Sequence, residues 1–435
     1  MKKLLLTSFF FLVFMTSSNA TLEDYINKNL FKATWKILSS TSNKDVKLID
    51  VLLTGQPWQG TTWQHYVEIF IPIKNKSNLA TILITTKKGM SQWHLPNDAV
   101  KLAKKTGSTI VVLYNIPNQP LFDGLIEDEL IAYSFTQYLE TGYNDWPLLF
   151  PMSKATIKAM DAVQEIVHKT AKIKIERFIL TGASKRGWTT WLVAASDDRV
   201  VGIIPLVFDN LRFASQMNHQ LKNWGKISEQ LSDYTDYGLI NLINTEQGQK
   251  LISMIDPYFY LSKYQNVQKL LIHGTNDRYW VIDAAKFYWN DLPGTKNILY
   301  LPNKGHRLAR DKKIFQLMNT FLKRNIANYK LPQINWEFKE TNSTLTLNLT
   351  SLEKPHKIKI WYAKSNIRDF RNAKWRSKKF VLRQSEFNYS FNKPKKQYLA
   401  LFAEIMYKTK SENFSLSTTI KVTKNSETVS FEHNN

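Results

Sequence analysis

Hydrophobic runs alternate with amphipathic segments between about residues 45 and 325. The runs are rich in Ile, Val and Leu, a composition that favours strands buried on both faces. They cover residues 65–71, 80–85, 109–114, 177–181, 200–205, 269–273 and 297–301. Segments between them place apolar residues at helical three-to-four spacing over 127–140, 153–167 and 308–324, the second with Ser153 as its expected N-cap. The alternation predicts an α/β fold in which helices cover a mostly parallel sheet.

Two stretches depart from this alternation. Residues 211–262 are rich in Asn, Gln, Tyr and Trp, and they predict a helical insertion that caps the carboxyl edge of the sheet. From residue 331 onward, short runs of alternating apolar and polar residues predict a small antiparallel β-sandwich. A chain of 435 residues is long enough for two domains. We therefore expect a main α/β domain over 21–330 and a β-rich domain over 331–435.

The first 20 residues form a separate segment. Lys2 and Lys3 precede an apolar run, and Ser18-Asn19-Ala20 follows it, which is the pattern of a cleavable signal peptide. The alternative, a single membrane anchor, is disfavoured because the run is shorter than the roughly 20 residues that span a bilayer. The sequence thus predicts export, either to a periplasm or to the medium.

Composition narrows the chemistry. The chain has no cysteine, which excludes disulfides, thiolate catalysis and zinc–thiolate sites. Its formal net charge of +23 predicts contact with anionic surfaces such as lipopolysaccharide, phospholipid headgroups or acidic glycans, including peripheral membrane contact. The alternative is a lysine-rich surface that is merely solvated. The basic run 368–383 leaves the same two alternatives open, and no nucleic-acid recognition motif is present.

One segment predicts a reactive serine. Residues 178–192 place Ser184 in a tight turn between a buried strand and a helix, the arrangement of a nucleophile elbow. Gly182 supplies the small residue that the close approach of strand and helix requires. Arg186 occupies the position where a second glycine is usual, and Gly187 comes one residue later. The alternative is an ordinary turn in which Ser184 caps the helix.

An acid and a histidine follow later strands in the expected order. Asp277 comes after the strand at 269–273, and His306 comes after the strand at 297–301. The order Ser, Asp, His is typical of α/β hydrolases. Asp283 and Asp291 compete for the acid position but fall in the following helical region, and His273 lies inside a strand where a core role is expected. We therefore predict a catalytic triad of the residues Ser184, Asp277 and His306.

The oxyanion of an acyl-transfer reaction needs two hydrogen-bond donors. The backbone N–H of Lys185, directly after the serine, is the first expected donor. The second should come from the loop after the strand at 80–85, where Lys88 and Gly89 are the candidates. The Lys185 ammonium could add positive charge there or could lie on the surface. No metal or phosphate-binding motif is present, and an acyl-enzyme mechanism requires no cofactor.

Many short segments of the chain match those of a known family. They are residues 115–121, 127–128, 130–133, 146–147, 151–152, 154–155, 159–164, 181–191, 256–258, 274–277, 291–294, 302–306, 368–371 and Trp375. In these segments the chain resembles the PhoPQ-activated pathogenicity-related proteins, exported bacterial members of the α/β-hydrolase superfamily. The resemblance implies an α/β-hydrolase domain with a β-rich tail, supports the three triad positions, and through the family name implies a link to virulence. It departs at Lys87-Lys88-Gly89, where relatives are expected to have a glycine pair. The elbow alone is also similar to that of glucuronoyl esterases.

These features predict an exported serine hydrolase that cleaves an ester or amide, with a lipid, an acylated protein or a peptide as substrate. A peptidase would need acids to bind a substrate amine, for which Glu127, Asp128 and Asp209 are candidates. The polar insertion at 211–262 argues against long-chain triglycerides. The rival hypothesis is a secreted binding or signalling protein that acts through its basic surface.

Export predicts a defined mature N-terminus. When the full-length chain is produced in its exporting host, we expect the first residue of the exported protein to be Thr21. N-terminal sequencing or intact mass measurement checks this. An exported protein that keeps residues 1–20 would support the membrane-anchor alternative instead.

Overall fold

The computed structural model describes residues 22–28, 32–74, 77–87, 95–308, 311–382, 385–409 and 411–425. The predicted signal peptide and the predicted oxyanion donors Lys88 and Gly89 lie outside these residues. Within the described ranges, no helix is both long and apolar enough to cross a bilayer.

A central sheet organises the first three quarters of the chain. Its order is β1-β2-β3-β5-β4-β6-β7-β8-β9. The first three strands are antiparallel, and the strands from β4 to β9 run parallel to one another. The predicted mostly parallel sheet is therefore confirmed. The strands are β1 Thr34–Ser42, β2 Val46–Trp58, β3 Thr61–Pro72, β4 Leu79–Ile84, β5 Thr109–Leu113, β6 Arg177–Ala183, β7 Val200–Leu206, β8 Gln268–Gly274 and β9 Lys296–Leu301.

Helices cover both faces of this sheet. Two helix starts differ from the prediction: α9 begins at Lys312 instead of residue 308, and α4 begins at Leu149, so Ser153 is not its N-cap. The Ser153 hydroxyl instead donates to the Leu149 carbonyl at 2.8 Å inside the helix. Pro151 is tolerated in the first turn, where helical N–H groups have no partner. The helices are α1 Leu22–Asn27, α2 Leu95–Thr106, α3 Glu127–Thr141, α4 Leu149–Ala171, α5 Lys185–Ser196, α6 Phe213–Trp224, α7 Ser232–Asp236, α8 Glu246–Ile255 and α9 Lys312–Ile326.

Side chains of the central strands enter two hydrophobic cores, one on each face. On β4, Ala80, Ile82 and Ile84 enter one core, while Leu79 and Leu83 enter the other. Because both faces are covered, a strand of this kind has no polar face. This explains why the parallel strands appear in the sequence as continuous apolar runs.

The predicted insertion lies between β7 and β8. It consists of α6, α7 and α8 together with 3-10 helices at Glu229–Leu231, Leu239–Leu242 and Pro257–Tyr264; a further 3-10 helix, Ala284–Phe287, follows β8. The insertion packs on the carboxyl edge of the sheet: the Trp188 indole N–H donates to the Ile255 carbonyl at 2.6 Å, and the Tyr234 hydroxyl donates to Asp128 at 3.2 Å. These contacts connect the insertion to α5 and α3.

The C-terminal strands form two antiparallel layers. One is the three-stranded sheet β10-β11-β14, and the other contains β12, β13, β15, β16 and β17. The second layer continues the central sheet, since Ser417 pairs with Ile298 of β9 and the Ser417 hydroxyl accepts the Tyr300 N–H at 3.0 Å. The sequence did not predict this continuity. The strands are β10 Ile334–Glu340, β11 Thr344–Ser351, β12 Lys357–Ser365, β13 Arg376–Val381, β14 Glu386–Asn392, β15 Tyr398–Lys408, β16 Asn413–Ser417 and β17 Lys421–Lys424.

Arg324 connects α9 to these strands. Its guanidinium binds both oxygens of Glu412 at 3.0 and 2.7 Å and both oxygens of Glu353 at 2.6 and 3.0 Å. It also lies 5.3 Å from the centre of the Phe414 ring. Paired, charge-assisted bonds of this geometry are stronger than ordinary surface ion pairs.

Replacing this guanidinium should weaken the junction. We expect Arg324→Ala to lower the free energy of unfolding by about 1–3 kcal/mol, because two carboxylates lose charge-assisted bonds. Urea denaturation of the purified protein measures the change. Lys323→Ala on the same helix, with no ion pair among the described residues, should stay within about 0.5 kcal/mol. Equal effects of the two variants would contradict the assigned role of Arg324.

Candidate active site

Ser184 occupies a strained turn between β6 and α5. Its backbone has φ 57° and ψ −125°, a conformation that non-glycine residues rarely adopt. The turn is held on both sides, since the Ser184 N–H donates to the Leu206 carbonyl at 2.8 Å and the Ser184 carbonyl accepts the Trp188 N–H at 3.0 Å. The serine therefore stands at the carboxyl edge of the parallel strands, at the start of a helix.

The glycines around Ser184 permit a close crossing of strand and helix. A Cβ added to Gly182 would lie 2.7 Å from the Arg186 backbone, and one added to Gly187 would lie 3.1 Å from the Gly182 carbonyl oxygen. Arg186 lies against the strand through its backbone and its Cβ, and at Gly187 the Gly182 carbonyl leaves little room for a side chain. This accounts for the departure from the usual glycine spacing after the serine.

Asp277 and His306 are hydrogen-bonded to each other. The His306 Nδ1 lies 2.8 Å from the Asp277 Oδ2, and the Tyr279 N–H donates to the other Asp277 oxygen at 2.9 Å. Asp277 is 7% exposed. With Nδ1 facing a carboxylate, the proton belongs on Nδ1, which leaves Nε2 as the basic nitrogen. The His306 Nε2 has no hydrogen-bond partner in the described part of the chain.

Ser184 and His306 line the same cavity. This cavity has a volume of about 540 Å³ and is bounded by the ends of β4, β6 and β7, by the His306 loop, and by the first part of α9. The structure thus brings the three predicted triad residues to one site: two line the cavity, and Asp277 holds His306 from behind.

Tyr279 is a site residue that the sequence did not reveal. The centre of its ring lies 4.1 Å from that of His306, at an interplanar angle of 31°. Burial, and then the charges of Asp128 and Asp277, raise the pKa of the Tyr279 phenol, so it remains neutral and can donate a hydrogen bond. Its position two residues after the acid was the only local signal. The tyrosine restricts how the His306 ring can move.

The two cations after the serine are bound by acids. Lys185 is 6% exposed, and its ammonium lies 2.8 Å from Glu127 and 3.2 Å from Asp128. Arg186 binds both Glu127 oxygens at 2.7 Å and the Ile116 carbonyl at 2.6 Å. Of the two alternatives for the Lys185 side chain, the surface position is therefore wrong. The Lys185 ammonium forms ion pairs with Glu127 and Asp128, so it adds no unpaired positive charge that could stabilise an oxyanion.

Glu127 is the centre of this ion cluster. Burial raises its pKa, but hydrogen bonds and charges from Arg186 and Lys185 lower it by more, so the pKa lies well below its usual range. Glu127 also has a positive φ of 54°, and Gln119 holds both its backbone N–H, at 2.8 Å, and its carboxylate, at 2.6 Å. A carboxylate with this many donors has little capacity left for a substrate amine.

The backbone N–H of Lys185 stays the predicted first oxyanion donor. The Lys185 N–H is the first of α5 and has no acceptor among the described residues, as expected for a helix N-terminus. The dipole of this helix favours negative charge at the same point. Lys88 and Gly89, proposed for the second donor, are not described, so that assignment stays a prediction.

Asp209 and Asp291 are separate from the triad, and His273 is a core residue as expected. Asp209 is 4% exposed and accepts a 2.5 Å hydrogen bond from Tyr288; burial raises its pKa, which disfavours a role as a charged amine-binding acid. Burial lowers the pKa of His273, because burial disfavours the charged imidazolium. Asp291 accepts from the Tyr258 hydroxyl at 2.6 Å.

Asp283 forms a structural ion cluster instead of binding His306. It lies 2.7 Å from His219, 3.1 Å from Lys286 and 2.8 Å from Arg368. Over the part of the chain that the structure describes, no three His, Asp or Glu side chains are grouped so that they could hold a metal ion.

A loop of the C-terminal strands holds both triad loops. This loop joins β12 to β13. The Asn276 amide, next to Asp277, donates to the carbonyls of Arg371 at 3.1 Å and Ala373 at 2.8 Å. Asn303 exchanges two hydrogen bonds with the Trp375 backbone, at 2.8 and 3.1 Å. The loops that carry the acid and the base are therefore anchored to the same segment.

The basic run 368–383 begins with arginines that are already paired. Arg368 binds Asp283, and Arg371 binds Asp369 at 2.6 Å and Glu229 at 2.9 Å, with the Trp224 ring 4.1 Å away. Arg371 thus joins the C-terminal loop to the cap, and Arg368 joins it to the segment that follows β8. They are not part of a free anion-binding face.

Removing the Glu127 charge should destabilise the site in a pH-dependent way. We expect Glu127→Gln to lower the free energy of unfolding by about 3 kcal/mol at pH 7, because the buried cations Lys185 and Arg186 lose their shared carboxylate. A lowered carboxylate pKa stabilises fully above the unfolded-state value of about 4.3, and this stabilisation is lost as pH falls through the folded-state pKa.

The difference between the variant and the wild type should therefore be largest at pH 7 and shrink below about pH 4. Urea denaturation at both pH values measures it. Glu129→Gln, an exposed glutamate in the same helix turn, is the control and should have little effect. A pH-independent difference would show that the charge of Glu127 is not responsible.

Comparisons with known proteins agree with this architecture. The Thermoanaerobacterium sp. JW/SL YS485 acetyl xylan esterase 1 matches with a TM-score of 0.50 at 16% identity, covering 71% of this chain and 94% of that one. A Paenibacillus sp. R4 acetyl xylan esterase gives a TM-score of 0.48 at 13% identity, over 71% and 92% of the two chains. The first of these shows that the fold is that of the α/β hydrolases.

Sequence comparison gives the family. The chain is 32% identical over 376 residues to autocrine proliferation repressor protein A of Dictyostelium discoideum, covering 80% of this chain and 76% of that protein. The family model described as PhoPQ-activated pathogenicity-related protein matches residues 22–371. The protein therefore belongs to the PhoPQ-activated pathogenicity-related family.

Proposed function

We propose that this protein is an exported serine hydrolase that cleaves an ester or amide through an acyl-enzyme intermediate. Ser184 is the nucleophile, His306 the base and Asp277 the acid that orients it. The observation that carries the proposal is the state of His306: Asp277 holds its Nδ1 at 2.8 Å, while its Nε2 is unpaired among the described residues. Ser184 lines the same cavity.

The proposed reaction proceeds in two halves. The Ser184 hydroxyl attacks the carbonyl carbon, and its proton passes to the His306 Nε2. The oxyanion that forms accepts a hydrogen bond from the Lys185 backbone N–H. The His306 imidazolium then gives this proton to the leaving oxygen or nitrogen as the bond to the acyl carbon breaks. Water repeats the sequence on the acyl-enzyme: His306 takes a water proton, the hydroxyl adds to the carbonyl, and Ser184 leaves reprotonated.

The electrostatics of the site favour an uncharged scissile group. Lys185 and Arg186 are balanced by Glu127 and Asp128, so these two cations beside the serine are not available to bind a substrate anion. Esters are the first substrates to test, in line with the esterase names of the compared structures. Amide and peptide substrates remain in the proposed class.

Covalent labelling tests the proposal. A fluorophosphonate probe should label purified mature protein at Ser184, because an activated serine displaces its leaving group. Ser184→Ala should abolish labelling, and His306→Ala should reduce it strongly. Asp277→Asn should lower kcat for a p-nitrophenyl ester by on the order of 10⁴. Peptide mapping locates the adduct, and Ser153→Ala, a buried serine on α4, is the matched control that should keep labelling.

Failure to label a protein shown by circular dichroism to be folded would contradict the proposal. Labelling at another serine, or labelling that does not depend on His306, would contradict the assigned triad.

A second function is a secreted signalling role. It is favoured by the Dictyostelium relative, whose name describes an autocrine repressor of proliferation. The same Ser184→Ala variant distinguishes the two in the producing organism. A phenotype that survives this substitution would support action by contact, and a lost phenotype would support catalysis.

A further inference from the structure

Two cavities meet at Ser184. The larger one, about 540 Å³, includes His306, whereas the smaller one, about 30 Å³, is lined by Ser184, Lys185 and Tyr279 but not by His306. We propose that the smaller cavity binds the acyl group of the substrate and restricts the enzyme to short acyl groups. This inference rests on the proposed serine hydrolase function.

Proton transfer decides which cavity takes which part of the substrate. The leaving group must receive its proton from the His306 Nε2, so it has to lie on the side of the serine that His306 faces. That side is the larger cavity. The acyl group extends from the same carbonyl carbon in another direction, toward the cavity from which His306 is absent.

The walls of the smaller cavity are rigid. Trp188 stacks on Phe208 with ring centres 5.2 Å apart, and the Trp280 ring lies edge-on to Phe208 at 6.3 Å. Both indole N–H groups are anchored, that of Trp188 to the Ile255 carbonyl at 2.6 Å and that of Trp280 to the Val207 carbonyl at 3.3 Å. Aromatic walls that are packed and hydrogen-bonded in this way do not yield easily to a larger ligand.

The cap closes the far end of the cavity. Leu231 and Tyr234 from the insertion line it and are 5% and 8% exposed. Tyr234 is held by its hydrogen bond to Asp128. A volume of about 30 Å³ compares with the 10–15 Å³ or so that one water requires, so the space suits about two small groups beyond the carbonyl.

Polar groups on the wall also oppose a long alkyl chain. Asp128 and Asn210 both line the cavity. Asn210 is 2% exposed, and its side-chain oxygen has no hydrogen-bond partner among the described residues. An alkyl chain would cover the Asn210 oxygen without satisfying it and would pack against the charged Asp128, which carries a free-energy cost. A short acyl group would leave the amide free to bind a water.

An ester series on the wild-type protein tests the inference. The kcat/KM values of p-nitrophenyl acetate, butyrate and octanoate should fall with acyl chain length, by at least about 100-fold from acetate to octanoate. The reason is that each added methylene would collide with the packed side chains that line the smaller cavity. The three esters share one leaving group, so their ratios report on the acyl side alone. Each rate is corrected with the Ser184→Ala protein.

Widening the cavity should shift the preference. Leu231→Ala removes three carbons from the cap wall, and we expect the butyrate-to-acetate ratio of kcat/KM to rise at least about tenfold. Leu242→Ala, an exposed leucine in the same insertion that does not line the cavity, should leave the ratio unchanged. If Leu231→Ala fails to fold, Ile240→Ala, another wall residue, gives the same test.

The outcomes separate the two proposals. Ser184-dependent hydrolysis that is equally fast for octanoate and acetate would overturn the acyl-pocket inference and leave the hydrolase proposal intact. An unchanged ratio in the folded Leu231→Ala protein would also overturn it. Absence of both ester hydrolysis and fluorophosphonate labelling would overturn the hydrolase proposal and this inference together.

Discussion

The backbone contact between β6 and α5 at Gly182 determines where the candidate nucleophile stands. Because a Cβ there would lie 2.7 Å from the Arg186 backbone, strand and helix can cross this closely only with glycine at this position. The crossing forces Ser184 into its positive φ and puts its side chain at the sheet edge. The N-terminus of α5, the Lys185 N–H and both cavities are all positioned by this one turn.

Charge compensation behind the serine is the second constraint. A protein with a formal net charge of +23 places two cations directly after Ser184, and both are balanced locally by Glu127 and Asp128. A buried charge is tolerated only when it is paired in this way. The two cations directly after the serine are therefore compensated, and the basic side chains that remain in the larger cavity, Arg307 and Lys312, lie on its exposed side.

The C-terminal strands belong to the architecture of the site. They extend the central sheet from β9, and the loop between β12 and β13 bonds to Asn276 and Asn303, each in a triad loop. The acid and base loops thus share a common support that comes from the far end of the chain. Arg371 of the same segment binds Glu229 of the cap, so cap, triad loops and C-terminal strands are connected.

The sequence by itself determined three features. They are the mostly parallel sheet, the insertion after β7, and the placement of Ser184, Asp277 and His306 in the chain. The insertion and the three residues each come soon after a buried strand, so the local hydrophobic pattern and the order of elements along the chain were sufficient to predict them. Only the tertiary structure decided that Tyr279 packs on His306, that Glu127 binds Lys185, and that a small cavity lies beside the serine. Such contacts join residues from separate elements, and their distances depend on side-chain packing that leaves no periodic signal in the sequence.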